Sequence, residues 1–250
     1  ADTPNRVEVS DISGEMLSVL TPDKLKYEIC RAAEWYKAKE IRPGIMAEID
    51  SRPPMDVIYD MLAYPNIPLP PLKSIVYSPV FAADGKLQDT VGYNPDSQIY
   101  YSPSKGLVIP SITSIPSDEE VLKALSWVEE ILCDFPFTSI GDKANAIALF
   151  LLPYVRDMID GPTPNHLIEA PIAGNGKGLL NTCLLIPAIG RDLTMMPEGN
   201  DNTEWEKQIT AALIKAHQII SIDNVSKPID SGNLAMAYTA SIWGARILGR

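Results

Sequence analysis

Residues 167–182, Leu-Ile-Glu-Ala-Pro-Ile-Ala-Gly-Asn-Gly-Lys-Gly-Leu-Leu-Asn-Thr, constrain this chain more than any other stretch. A short apolar run at Leu167 and Ile168 enters a loop of small residues holding Gly174, Gly176 and Lys177. Residues 179–189 beyond it suit a helix, despite Pro187. Strand, loop, helix is an order that lets backbone N–H groups curl around a phosphate. The helix N-terminus adds its positive end there, and a lysine supplies a point charge. The match to G-x-x-x-x-G-K-[ST] is imperfect. Pro171 stands where the first glycine belongs, and Gly178 replaces the hydroxyl that would touch Mg2+. Gly-Asn-Gly-Lys-Gly is also compatible with a solvated turn ahead of a helix.

Residues 217–225, His-Gln-Ile-Ile-Ser-Ile-Asp-Asn-Val, form an apolar, β-rich run that ends in Asp223-Asn224. In P-loop NTPases a buried parallel strand beside the phosphate-loop strand ends in an acid that holds the Mg2+ water shell. A core strand closed by an Asx turn has the same pattern. Taken together, and in this order, the two stretches predict a site for ATP and Mg2+.

Composition narrows the remaining classes. No apolar run approaches the roughly 20 residues needed to cross a bilayer, and no charged-then-apolar leader is present. Ala1 in place of Met implies processing or excision from something longer. Three scattered cysteines, Cys30, Cys133 and Cys183, lie in apolar contexts without a CxxC pattern, which predicts buried free thiols in a reducing cytoplasm. His166 and His217 have no partner at ligand spacing, which argues against a histidine metal site. A net charge of −11 disfavours a stand-alone DNA-binding protein, because phosphate contact needs clustered Lys and Arg. It counts less against a ring ATPase, where a few basic pore residues touch the strand.

Proline and glycine punctuation divides the chain into an N-terminal α+β module over 1–110, a helical segment over 111–160 and a phosphate-loop core over 161–250. In the first, a strand is expected at residues 6–9. A helix should follow Thr21-Pro22-Asp23, with Leu25, Ile29, Ala32, Ala33, Trp35 and Tyr36 on its apolar face. Residues 55–62 read as a short helix, Pro68-Leu69-Pro70-Pro71 as a stiff connector, and residues 74–81 and 98–101 as strands. Tyr93, Tyr100 and Tyr101 suit packing on a sheet face, with stacking on bases as the alternative. Ser117-Asp-Glu-Glu120 is a capping box ahead of a helix striped by Val121, Leu122, Leu125, Val128, Ile131 and Leu132, with Trp127 at its border. Ser139 caps a second helix kinked at Pro153. Residues 191–196 suit a strand, and 202–216 an amphipathic helix with Trp205, Ile209, Ala212 and Leu213 on one face.

Several of these landmarks resemble one family. Arg-Pro-Pro (52–54), Pro-Leu-Pro-Pro-Leu (68–72), Ser-Pro-Val-Phe-Ala-Ala-Asp-Gly (78–85) and Gly-Tyr-Asn-Pro-Asp-Ser-Gln-Ile-Tyr-Tyr (92–101) are similar to the N-terminal half of a known group. These are the primase-associated, superfamily III-like ATPases of phages, plasmids and integrated mobile elements. Asp-Phe-Pro-Phe (134–137), the loop at 170–178, Ile-Asp-Asn-Val (222–225) and Arg-Ile-Leu-Gly (246–249) follow in matching order. The resemblance implies an α/β fold with a P-loop NTPase (AAA+-like) core, truncated at its C-terminus and preceded by helices and the N-terminal module. It implies a homo-oligomeric ring, a hexamer among the options, that unwinds DNA during replication, with single-stranded DNA in the pore and a primase as a further partner.

Carried over by residue, Lys177 would meet the β/γ-phosphates, and the backbone amides of Gly174, Asn175, Gly176, Gly178 and Leu179 would cradle them. Asp223 would hold the Mg2+ shell, and Asn224 would take the neighbouring, often acidic, position that polarises water. Two departures stand out. Gly178 removes the metal-ligating hydroxyl, and Asn224 can only orient water, as an amide does in small GTPases. Only 27 residues follow Asp223, too few for the further strands, polar sensor and arginine finger of such a core, so the chain reads either as a fragment, the favoured reading, or as a degenerate core. Arg246 and Arg250 are finger candidates, with ordinary surface or strand-edge arginines as the favoured reading. The competing reading is a nucleotide-dependent assembly or adaptor module without turnover. A small-molecule kinase ranks third, since no lid-like Arg cluster follows the second motif.

Overall fold

A computed structural model describes residues 5–10, 14–64, 69–110, 112–113, 115–172, 174–215, 217–240 and 242–245, with the backbone alone described for those before residue 20. The described residues form a mixed α/β structure with seven α-helices and several small sheets. They divide into two compact units, Ala1–Pro70 and Pro71–Arg250. The boundary falls in the proline-rich connector, not near residue 110 as the punctuation suggests. The reason is visible in the second unit, where residues of the 74–104 region bond to the far end of a helix at 177–189: Ser78 donates to the carbonyl of Pro187 at 2.6 Å and Ser104 to that of Gly190 at 2.7 Å.

The first unit opens with an antiparallel hairpin, β1 (Asn5–Ser10) and β2 (Gly14–Val19). Helix α1 (Pro22–Ala32) starts where proline and a threonine cap place it, Thr21 Oγ1 accepting from the Lys24 amide. It ends before Trp35 and Tyr36, which the helical pattern had included. Tyr36 begins a second hairpin, β3 (Tyr36–Arg42) and β4 (Ile45–Asp50), turned through Gly44 at φ +76°. Helix α2 (Met55–Ala63) follows, and Ile58 on it is fully buried.

In the second unit, β5 (Ser74–Val76) pairs in parallel with β9 (Ile99–Tyr101), which pairs antiparallel with β8 (Gly92–Asn94). A short hairpin, β6 (Val80–Phe81) and β7 (Leu87–Gln88), sits between them in sequence. Val76, Val80, Ile99 and Tyr101 form its core. Tyr101 is buried there and serves sheet packing, whereas Tyr93 is half-buried and donates to the Pro71 carbonyl at 2.6 Å.

Helices α3 (Asp118–Leu132) and α4 (Ile140–Val155) begin at Ser117 and Ser139, and Ser117 forms the full capping box with Glu120. Pro153 lies inside the last turn of α4, which passes into a short 3-10 turn at Arg156–Met158. α5 (Lys177–Ile189) packs on α4 around Leu132, Ala146, Leu184, Leu185 and Ile189. β10 (Met195–Pro197), α6 (Asn202–Ile214) and β11 (Ser221–Asp223) make a right-sized crossover joining two parallel strands. α7 (Gly232–Thr239) packs on α6 through Trp205, Ile209 and Leu234. No helix among the described residues is long and apolar enough to cross a membrane.

Two expectations are corrected here. The strand ahead of the phosphate loop is not formed: residues 162–170 carry no regular structure, and Leu167 is 69% exposed. Pro162, Pro164 and Pro171 supply no N–H donors, and among the described residues no strand lies alongside to accept a ladder. Among the described residues, the parallel sheet on which a P-loop NTPase core is built is represented after the loop only by the three-residue pair β10–β11. The thiols also differ from expectation, since Cys30 and Cys133 are exposed and Cys183 is half-buried.

Candidate functional site

The loop ahead of α5 has the backbone that its glycines allow. Gly174 has φ +86° and Gly176 φ +82°, in the left-handed region where a side chain is strained. Gly176 is the N-cap of α5 and, having no side chain, leaves the first-turn amides without a side-chain acceptor. Those amides are among the four that any helix leaves unpaired at its start, and they carry its positive end. A Cβ on Gly174 or Gly178 would meet nothing within 4 Å, so the space around the loop is open. Asn175, Lys177, Gly178 and Leu179 are exposed, with Leu179 at 61%.

At the second stretch, the strand is shorter than the apolar run. β11 covers only Ser221–Asp223, and Asp223 is its last residue and exposed. Its Oδ1 accepts from the Asn224 amide at 2.8 Å, and Asn224 turns the chain with φ +56°. Asn is one of the few residues that visit that region readily.

Two contacts set the direction of α5 relative to β11. One turn into the helix, the Asn181 amide donates to Ser221 Oγ at 2.8 Å. At the helix end, Ile189 lines a small cavity together with His217 and Ile219. Residue numbers therefore rise along α5 as they fall along the 217–221 segment that leads into β11, so helix and segment run in opposed senses. Lys177 precedes Asn181 by four residues, about 6 Å of helix. Asp223 follows Ser221 by two residues, about 7 Å of strand. The loop end of α5 and the acid end of β11 are thus carried to the same side of the α5–β11 pair.

Asn181 and Glu198 were not singled out in the sequence. Glu198 directly follows β10 and accepts from both the backbone amide and the hydroxyl of Ser226, each at 3.0 Å. The hydrogen bond from the Ser226 amide is the main reason its carboxyl is held below the usual range. This bond ties the segment after Asn224 to the end of β10. No local pattern announces either contact, since 28 residues separate Glu198 from Ser226 and 40 separate Asn181 from Ser221.

Among the described residues no group of three or more His, Cys, Asp or Glu side chains is gathered as for a metal ion. Burial pushes the imidazoles of His166 and His217 below their ordinary value. Mg2+ needs no such cage, because it binds through one or two carboxylates plus phosphate oxygens and water. A single exposed Asp223 fits that habit. A polar cleft of about 370 Å3, bordered by Lys73, Asp84, Lys86, Gln88, Asp96 and Asp157, lies away from the loop and includes none of these residues. Arg246 and Arg250 lie outside the described residues. Compared with protein-family models, with curated proteins and with solved structures, the chain matches none.

Proposed function

We propose that this chain carries the nucleotide site of a helicase-type ATPase, an AAA+-like P-loop protein acting in DNA replication of a mobile element. The observation that supports the reading is the opposed run of α5 and the 217–221 segment leading into β11, anchored by the Asn181–Ser221 bond. It brings a glycine-bent loop, an uncapped helix start and Lys177 to the side on which Asp223 ends its strand. A triphosphate needs those groups on one side.

In this reading the amides of Gly174, Asn175, Gly176, Gly178 and Leu179 cradle the phosphates, and Lys177 neutralises the β/γ oxygens. Asp223 holds the Mg2+ water shell, and the metal, when bound, neutralises charge that builds on the phosphoryl oxygens. Asn224 orients water without accepting its proton. The full assembly is a homo-oligomeric ring, a hexamer or another closed number, passing single-stranded DNA and meeting a primase. Gly178 and Asn224 favour a second reading, a nucleotide-dependent assembly or adaptor module without turnover, because neither a metal-binding hydroxyl nor a second carboxylate is present.

Calorimetry with ATP or ADP and Mg2+ tests the site. Wild type should bind, and Lys177→Ala should weaken binding at least tenfold, about 1.4 kcal/mol. An unchanged response in Lys177→Ala removes the phosphate-loop assignment. ATP turnover that is lost in Asp223→Ala selects the motor, and binding without turnover selects the assembly module.

A further inference from the structure

The β3–β4 hairpin is exposed at every residue of β3, and on β4 only Ala47 and Ile49 are half-buried. Its register pairs Tyr36 with Asp50, Lys37 with Ile49, Ala38 with Glu48, Lys39 with Ala47 and Glu40 with Met46. A bulge between Glu40 and Arg42 then sets Arg42 against Ile45. Side chains alternate across a strand, and directly paired residues share a face. One face therefore carries Lys37, Lys39 and Arg42 over Ile45, Ala47 and Ile49. The other carries Glu40, Glu48 and Asp50 beside Tyr36, Ala38 and Met46. The bulge matters, because without it Arg42 would fall among the acids.

No cation of this hairpin sits across from an acid. Every cation is paired with an apolar residue, and each face has one sign. Two-stranded hairpins are marginal alone and leave both edges open, so such a ribbon gains from being covered. A nucleic acid suits it poorly: a polyanion on the basic face meets three carboxylates one sheet thickness away, in a chain of net charge −11. The complement that matches each face in sign is the opposite face of the same hairpin.

We propose that this hairpin is a self-association element, the basic face of one copy stacking on the acidic face of the next. Stacked sheets lie about 10 Å apart, and such a contact is head-to-tail, so it propagates to a ring or a filament. A face of six side chains is smaller than the roughly 800 Å2 per partner of a standard interface. The contact is therefore weak, concentration-dependent and sensitive to salt. It needs no nucleotide and stands or falls separately from the phosphate-loop reading.

Sedimentation velocity of the full chain tests it at about 0.1 M and 1 M salt, where charges are screened beyond about 10 and 3 Å. Wild type should associate at the lower salt and fall to monomer at the higher. Lys37→Glu/Lys39→Glu and Glu48→Lys/Asp50→Lys should each be monomeric at both, with circular dichroism unchanged. Glu40 is spared because its carboxylate accepts from the Gly44 amide of the turn at 2.6 Å. An equimolar mixture of the two variants sets an acidic-faced copy against a basic-faced one, keeps one native pair of faces, and should restore association at the lower salt. Monomeric wild type at 0.1 M salt overturns the proposal, as do variants that associate like wild type or a mixture that stays monomeric. Wild type that stays monomeric yet binds labelled single-stranded DNA through Lys37 and Lys39 overturns it in favour of nucleic acid.

Discussion

Helices α3 and α5 share one unit and reverse the usual relation between sequence signal and burial. α3 has a capping box, three acids in its first turn and an apolar residue at nearly every third or fourth position. Yet it buries only Leu132, while Leu122 is 65% and Trp127 58% exposed. α5 begins at a glycine, contains Pro187 and has no capping side chain, but it buries Leu184, Leu185, Ala188 and Ile189. Local signals decide whether a helix forms and where it starts. Burial depends on what other elements bring to it. α5 is held along its length, by α4 on one side, by Ser78 and Ser104 on its last carbonyls, and by Asn181 reaching Ser221.

The sharpest way to break this comparison is to cut into α5. Leu184→Ala removes a side chain only 1% exposed from the cluster with Leu132 and Ala146, and should cost about 3 kcal/mol in urea unfolding followed by tryptophan fluorescence. A loss below about 1 kcal/mol would mean that this core is not packed as described.

Gly190→Ala should come next, at about 2 kcal/mol, because overpacking adds to a left-handed backbone. Gly190 has φ +69°, and a Cβ there would lie 2.8 Å from Cβ of Tyr77, whose ring carries Arg191 at 4.5 Å. If the same unfolding measurement finds Gly190→Ala neutral, the close approach of Tyr77 to the end of α5 is not present in solution. The smallest effect is expected on α3, where Leu122→Ala should stay within about 0.5 kcal/mol of wild type. A loss comparable to that of Leu184→Ala would show that the exposed stripe is covered in the protein as it exists in solution.

Much of the local structure was legible. Thr21, Ser117 and Ser139 each begin a helix by accepting from an amide three residues on, as their hydroxyls predict. Gly174 and Gly176 were legible too, because left-handed backbone leaves a mark in residue type, while the helix expected from 179 begins two residues earlier, at Lys177. The β3–β4 hairpin was not read, although Pro43-Gly44 is a turn signal. Trp35 and Tyr36 continue the apolar spacing of α1, and the period alone could not show that the helix stops at Ala32. The strand expected at Leu167 and Ile168 failed for the opposite reason, since an apolar dipeptide is a strand only when another strand lies beside it.

Of the candidate site, the sequence by itself determined the parts: two glycines able to bend the loop, a lysine at the helix start and an acid closing an apolar run. These follow from chemistry each residue carries alone. Their arrangement was decided by tertiary structure. Asn181 meets Ser221 across 40 residues, Glu198 meets Ser226 across 28, and Ser78 reaches Pro187 across 109. Bonds over such separations are set by which surfaces pack together, and no window of local sequence contains both partners.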